Sequence, residues 1–242
     1  MTLAVVTAII FVATLIRASL GFGEALVSVP LLAFVLPVTV AAPVAVLVSI
    51  TVAAVIVATD WRHVEFGSAG RLVLASLPGI PAGLWLLHSA PEAVVKGLLG
   101  AIVVLFALST LRRPGHVTLT DDRWSWWFGA VAGVLGGAYG MNGPPLAIYG
   151  ALRRWPPERF RATLQGYFLP ASIVGMAGYA VAGLWTPTVT HYFVLTLPAT
   201  AAGVLLGRWL HSRVAGDRFL FYVCAGLILS GAGLIVQALL AH

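Results

Sequence analysis

Long apolar runs with few or no charges constrain this chain more than any other feature. Residues 38–59, for example, contain no charged side chain, and about 20 apolar residues suffice to cross the hydrocarbon core of a bilayer. Only 9% of the residues are charged and 60% are hydrophobic, whereas a soluble domain carries roughly 25% charged residues. We therefore expect an all-α polytopic membrane protein, and we exclude a soluble domain, a disordered tail and a disulfide scaffold.

Glycine, proline and charged residues divide the chain into apolar segments of very different length. Two of these segments are too short to cross a membrane alone. At 1.5 Å per residue, 25–36 would form a helix of about 18 Å and 144–152 one of about 14 Å, against a hydrocarbon core of about 30 Å. Each follows a glycine-rich break, which is typical of re-entrant or discontinuous helices. The remaining segments are 2–20, 38–59, 68–88, 92–111, 124–139, 160–183, 188–211 and 217–240.

The two glycine-rich breaks occupy matching places in the two halves of the chain. The first reads GFGE from Gly21 and the second GMNG from Gly140, and Pro37 and Pro156 each follow the first glycine by 16 residues. Further on, LPGIPAGLWL resembles LPATAAGVLL, and the offset between the halves changes only from 119 to 120 residues. This order predicts an internal repeat, with an N-terminal unit at 1–113, a linker at 114–123 and a C-terminal unit at 124–242.

The distribution of positive charge predicts the orientation of the helices. If each short segment and its neighbour form a hairpin, each half has one broken or re-entrant pair and three spanning helices. Four loops, which hold 12 of the 14 Lys and Arg residues, then fall on one side of the membrane. The positive-inside rule places these loops in the cytoplasm and both termini outside it. Since three spans is an odd number, we expect an inverted repeat, which is typical of transporters with a midplane substrate site. The loops are 60–71, 112–123, 153–161 and 208–218.

Two stretches contain the breaks, IRASLGFGEALVSVPLLAFVLP and GAYGMNGPPLAIYGALRRWPPERFRATLQGYF. Together they resemble the paired signatures of the TauE/SafE sulfite-exporter family, and the resemblance covers essentially the whole chain. It implies a polytopic inner-membrane transporter of small anions, notably sulfite, sulfonates and related organosulfur acids. The first break reads GFGE where many members carry further glycines, which puts a carboxylate in the expected site.

Arg17 and Glu24 are charged residues placed deep in apolar sequence near the first break. A charge inside a membrane is costly, so it usually faces a partner or a hydrated cavity. One interpretation is a structural ion pair that fixes the first broken helix. In the other, Arg17 attracts an anion and Glu24 takes up and releases a proton. Both interpretations stay open at this point.

The second break has the sequence of a helix N-terminus. Asn142 can serve as the N-cap, and the prolines that follow Gly143 begin a helix where a missing N–H costs least. Free amides and the positive end of the helix dipole bind anions. Glycines permit positive φ and close backbone approach, although small residues also serve helix packing. The predicted substrate-binding residues are Arg17, Gly21, Gly23, Glu24, Gly140, Asn142, Gly143 and Gln165, with Glu24 as the proton-coupling residue.

Other polar residues are weaker candidates. Gln165 lies one turn past Arg161 and is expected to face the bundle interior, where an interhelical hydrogen bond is the alternative role. The Arg-rich 153–161 loop is interpreted as a topology determinant that can also gate. Tryptophans at span ends fit an interfacial belt, histidines near loops show no metal spacing, and Cys224 fits a small core residue. The weaker polar candidates are Ser19, Ser28, Tyr149, Thr163 and Tyr167.

These features favour a secondary transporter of a small anion, with a proton as a candidate coupling ion. A passive anion channel or facilitator is the alternative. An intramembrane enzyme is disfavoured because the sequence contains no GxSxG or HExxH motif, and GxxxxGK[ST] is also absent. We expect no cofactor, no metal and no nucleic-acid partner. The anion, the direction of transport and the oligomeric state are left open.

Overall fold

The computed structural model describes residues 2–60, 62, 64–112, 118–119, 121–214 and 217–240. Within these ranges the chain is all-helical, without strands. The helices are α1 (Thr2–Leu20), α2 (Glu24–Leu32), α3 (Val38–Asp60), α4 (Phe66–Ser76), α5 (Gly79–Ser89), α6 (Glu92–Leu111), α7 (Trp124–Tyr139), α8 (Gly143–Leu152), α9 (Pro157–Val181), α10 (Pro187–Val214) and α11 (Asp217–Leu240).

Length and composition make several of these helices membrane spans. Helices α1, α3, α6, α10 and α11 are each long and apolar enough to cross a bilayer, and the bent pair α4–α5 would add a sixth span. Helix α9 has 25 residues, but its first turns carry Glu158, Arg159 and Arg161. The all-α membrane fold predicted from the apolar runs is thus confirmed.

One predicted span is interrupted. The sequence predicts a single segment over 68–88, but the structure breaks it at Leu77–Pro78 and bends the two helices by 43°. Pro78 has no N–H to continue the helical hydrogen bonds, and the amide of Leu77 bonds to the carbonyl of Leu74 at 3.3 Å. The corresponding Pro198 lies inside the continuous helix α10. The proline alone therefore does not decide whether the helix breaks.

The short helices α2 and α8 return the chain to opposite ends of the bundle. Beyond α8, the carbonyl of Leu152 accepts a hydrogen bond from Leu119 at 2.9 Å, and Asp122 bridges Arg71 at 2.6 Å and Arg153 at 2.9 Å. Three of the four arginine-rich loops thus contribute to one end. The chain after α2 lies at the other end, where Pro37 lines a cavity together with His88 and Glu92. Whether the two short helices form re-entrant hairpins stays a prediction.

The helices also pack in a reciprocal pattern. Helix α1 packs along α10, and its counterpart α7 packs along α4 and α5, which correspond to α10 in the other half. The pairs α3–α9 and α6–α11 each join helices that correspond in the predicted repeat. Exchanging the two halves therefore maps each of these contacts onto another. This symmetry supports the internal repeat, while the inversion of the halves across the membrane stays a prediction.

Candidate functional site

The first break is produced by two glycines in left-handed backbone conformations. Gly21 has φ +87° and Gly23 has φ +99°, a region that side chains with a β-carbon rarely adopt. The amide of Gly21 bonds to the carbonyl of Arg17 at 2.7 Å, which closes α1. Helix α2 then begins at Glu24. The sequence Gly-Phe-Gly thus reverses the chain and brings Glu24 back toward Arg17.

Arg17 is the centre of a buried polar network. Its Nη1 atom donates to Glu24 Oε2 at 2.6 Å and to Ser49 Oγ at 2.7 Å, and its Nη2 atom donates to Gln165 Oε1 at 2.6 Å. Gln165 Nε2 in turn donates to the carbonyl of Gly21 at 2.6 Å. Helices α1, α2, α3 and α9 therefore hold one guanidinium, and Arg17 as a whole is only 2% exposed.

The guanidinium also lies against an aromatic ring. Its carbon is 5.1 Å from the centroid of Phe168 on α9, a distance typical of a cation–π contact. Arg17 Nε and Glu24 Oε1 are buried and have no hydrogen-bond partner among the described residues. The pair thus keeps one unused donor and one unused acceptor. Because a buried polar group without a partner is costly, these atoms are suited to an additional ligand.

The second break uses the same backbone device with different side chains. Gly140 has φ +66° and closes α7, with its amide bonded to the carbonyl of Gly136 at 2.8 Å. Asn142 occupies the N-cap position of α8, as predicted, but its side chain makes no capping hydrogen bond. Pro144 and Pro145 have no N–H, so Gly143 is the one amide donor among the first three residues of α8. The other helix start, α2, offers three such amides, and those of Ala25 and Leu26 belong to cavity-lining residues.

Both breaks line one small cavity. The cavity has about 20 Å³ open to the centre of a water-sized sphere, which is room for a water molecule. Its walls combine a guanidinium, a carboxylate, a hydroxyl, an amide and the N-termini of two short helices. Such a set of donors around one cation is suited to an oxyanion. The lining includes Arg17, Glu24, Ser49, Gly140, Asn142 and Phe168.

Comparison with known proteins places this architecture in a family. A family model described as "Sulfite exporter TauE/SafE" matches residues 6–234. The chain belongs to the TauE/SafE sulfite exporter family. The probable sulfite/organosulfonate exporter TauE of Cupriavidus necator is 25% identical over 212 residues, which cover 85% of this chain and 82% of that relative. No solved structure matches the chain.

Family membership and the apolar spans together make the chain an integral membrane protein of a transporter family. All eight predicted site residues lie at or beside the two breaks of this TauE/SafE member. Arg17 donates hydrogen bonds to Glu24 and to Gln165. The glycines shape the breaks. The sequence suggested that all four site glycines use their freedom to adopt positive φ. Three of them do, whereas Gly143 has a helical conformation at the start of α8.

Two residues of the network were not predicted from the sequence. Ser49 lies in the middle of the apolar helix α3, and Phe168 follows Gln165 by three residues on α9. A serine in an apolar run usually bonds to its own helix backbone, as Thr51 does to Leu47. The signal available for Phe168 was its helical spacing from Gln165.

The weaker candidates have mostly structural roles. Ser19 bonds to the carbonyl of Gly207 at 3.3 Å and joins α1 to α10, and Thr163 accepts the amide of Glu65 at 3.1 Å. Tyr149 reaches Asp122 at 3.3 Å near the arginine-rich end. Tyr167 is fully buried, and its hydroxyl has no hydrogen-bond partner among the described residues.

The remaining interpretations concern residues outside the network. Cys224 is buried, as expected of a small core residue. Within the described ranges, no three His, Cys, Asp or Glu side chains cluster as metal ligands would. Some residues of the predicted loops, linker and interfacial aromatic belt lie outside the described residues, or their side chains do. They are Trp61, His63, Arg113, His116, His211, Arg213 and Arg218.

Proposed function

We propose that this protein is a secondary transporter that moves a small anion of the sulfite, sulfonate or organosulfur acid class across the cytoplasmic membrane. One observation carries the proposal. Arg17 is held by four helices at the junction of the two breaks, beside amides of α2 and α8. A buried cation surrounded by oriented donors is the chemistry that a sulfur oxyanion requires.

Glu24 acts in this proposal as an internal substitute for the substrate. Its carboxylate binds Arg17 at 2.6 Å, so it fills the place beside the guanidinium that an anion would seek. A substrate anion must therefore displace Glu24 from Arg17. Protonation of Glu24 removes the competing charge, and the proton then travels with the anion. This mechanism couples the two without a nucleotide.

Charge balance supports such coupling. The ion pair Arg17–Glu24 is neutral, and Arg17 with a bound monovalent anion and a protonated Glu24 is also neutral. Both forms can change their exposure across the membrane without carrying net buried charge, which the low dielectric of the core penalises. The two repeats, 1–113 and 124–242, would rock around this site, with the arginine-rich loops in the cytoplasm and both termini outside.

Flux measurements test this function directly. Purified protein is reconstituted in liposomes loaded with sulfite, ethanesulfonate or sulfoacetate, and efflux is followed with and without a pH gradient. The proposal predicts protein-dependent efflux of at least one of these anions, with proton movement in the same direction. Efflux equal to that of empty liposomes for all three anions would reject the function. Efflux without proton movement would favour a passive facilitator instead.

A further inference from the structure

One face of α9 connects the arginine-rich end of the molecule to the cavity. Arg161, Gln165 and Phe168 follow one another by four and three residues, so their side chains share this face. Gln165 bonds to Arg17, and Phe168 lies against the guanidinium of Arg17. The third member of the stripe, Arg161, is half-buried and has no role in the site described so far.

The side chain of Arg161 crosses the first break directly over Gly21. A β-carbon added to Gly21 would overlap with Cγ of Arg161, and Cβ and Cδ of Arg161 lie beside the same point. The carbonyl of Gly21 accepts the hydrogen bond of Gln165, and its amide bonds to the carbonyl of Arg17. Gly21 therefore separates two arginines, and its missing side chain lets Arg161 lie against the backbone of the break.

The position of Arg161 along α9 lies between the end of the bundle and Arg17. At 1.5 Å per residue, Arg161 is about 6 Å and Gln165 about 12 Å from the helix start at Pro157. Next to Arg161, Phe160 packs edge-to-face against Phe22 of the break, with ring centroids 6.0 Å apart. Phe22 also contacts Phe106 at 6.3 Å. These rings pack against the break at the same end, beside the path that the stripe defines.

We propose that Arg161 is a second anion-binding residue, which receives the substrate at the arginine-rich end and passes it over Gly21 to Arg17. This inference rests on the proposed transport function. A guanidinium presents a planar set of donors that matches an oxyanion, and a cation in a half-buried position concentrates anions near it. A substrate that leaves Arg161 meets Arg17 beside Gln165, which lies one helical turn further along the stripe, so the anion passes from one cation to the next.

Side-specific kinetics test this role. The variant Arg161→Met keeps an apolar stem over Gly21 and removes the charge, whereas Arg161→Lys keeps the charge and loses the planar donor set. Arg159→Gln is the matched control, because Arg159 lies half a turn away, is about half exposed and pairs with Glu65. Sulfite KM is measured separately at the two faces in oriented membrane vesicles, and the thermal stability of each purified variant is recorded.

We expect Arg161→Met to raise the sulfite KM at the arginine-rich face about tenfold, as the loss of one charged hydrogen bond does, and to leave the opposite face within about twofold. Arg161→Lys should show a smaller rise at the same face, and Arg159→Gln none.

An unchanged KM in Arg161→Met, an equal rise at both faces, or the same rise in Arg159→Gln would overturn the inference. If Arg161→Met does not fold, a side-specific rise in Arg161→Lys supports the inference and an unchanged KM overturns it. If wild-type vesicles show no sulfite flux, KM is measured with ethanesulfonate or sulfoacetate, and flux of none of the three anions would instead reject the transport function itself.

Discussion

At the first break the chain carries Arg17 and Glu24, whereas the positions 119 residues later in the second break are occupied by Gly136 and Gly143. The two regions thus occupy matching positions in the predicted repeat and differ in charge. The charged pair makes one buried centre, and Gly143 of the second break lines the cavity beside it. In the predicted repeat only the first unit supplies the charged pair, so the breaks hold a single Arg17–Glu24 centre.

The backbone of the two breaks is more alike than their side chains. Gly21 and Gly140 both end a helix in the left-handed region, at φ +87° and +66°. The helices that follow differ, since α2 begins with a carboxylate and α8 with prolines after Gly143. We infer that the first break supplies charge and amide donors to the cavity, and the second mainly supplies its shape.

The largest difference between the breaks should come from removing Arg17. We expect Arg17→Gln to lower sulfite flux at least about 100-fold, because the anion loses its cation, and to destabilise the protein by about 3–5 kcal/mol, because Glu24 is left buried and unpaired. Flux in liposomes and thermal unfolding measure the two effects. The exposed Arg208→Gln on α10 is the control and should match the wild type.

A double variant separates the structural from the transport role of this pair. Arg17→Gln combined with Glu24→Gln removes both charges and should recover most of the lost stability while transport stays absent. Wild-type flux in the double variant would show that the pair only holds the helices together.

The glycines of the two breaks should differ in their tolerance to alanine. Gly21→Ala and Gly140→Ala force positive φ on a residue with a β-carbon, and each new β-carbon meets a neighbour, Arg161 or Val46. We expect a loss of about 1–3 kcal/mol for each. Gly143→Ala, in a helical conformation with only Phe168 at 3.8 Å, should be neutral or slightly stabilising. Thermal unfolding in detergent ranks the three variants, and a cost at Gly143 equal to that at Gly21 would contradict this account.

Glu24→Gln tests the coupling role of the first break. The variant should keep anion-for-anion exchange, because Arg17 with a bound monovalent anion stays neutral. It should lose the net flux driven by an imposed pH gradient, because the residue that exchanges the proton is gone and the empty form then holds Arg17 as an unpaired buried charge. Wild-type protein should transport faster from the more acidic side, where Glu24 is protonated more often. Parallel records of sulfite flux and internal pH measure this difference. A pH response in Glu24→Gln as strong as in the wild type would assign coupling to another residue.

The smallest effect is expected at the second break, at Asn142. Its side chain lines the cavity but makes no capping hydrogen bond. We expect Asn142→Ala to raise sulfite KM about twofold to fivefold, as the loss of one neutral hydrogen bond does, and to leave the melting temperature near that of wild type. A drop in transport as large as that of Arg17→Gln would make the two breaks chemically equal and would refute the comparison.

Much of the fold follows from local sequence. The segments 2–20, 92–111, 124–139 and 217–240 agree with α1, α6, α7 and α11, because apolar runs between charged or glycine-rich stops leave the backbone little choice in a membrane. The break at Pro78 was missed. The equivalent Pro198 leaves its helix continuous, so the outcome depends on packing against neighbouring helices rather than on the proline itself.

The site was partly predictable for a related reason. A charged residue inside a long apolar segment is rare and usually functional, so Arg17 and Glu24 could be found from the neighbouring sequence alone. Ser49 could not, because its bond to Arg17 joins residues 32 apart and a serine in an apolar helix usually bonds to its own backbone. Phe168 is one of 11 phenylalanines, and its residue type does not distinguish it from the others. Its contact with Arg17 depends on how α9 packs.

An experimental structure with bound 2-bromoethanesulfonate tests the central claim most directly, because the bromine identifies the ligand and its orientation. Our account predicts the sulfonate in the cavity between the breaks, within about 3 Å of the Arg17 guanidinium, with Glu24 displaced from that guanidinium. A sulfonate bound elsewhere in the protein, with the ion pair Arg17–Glu24 intact, would contradict it.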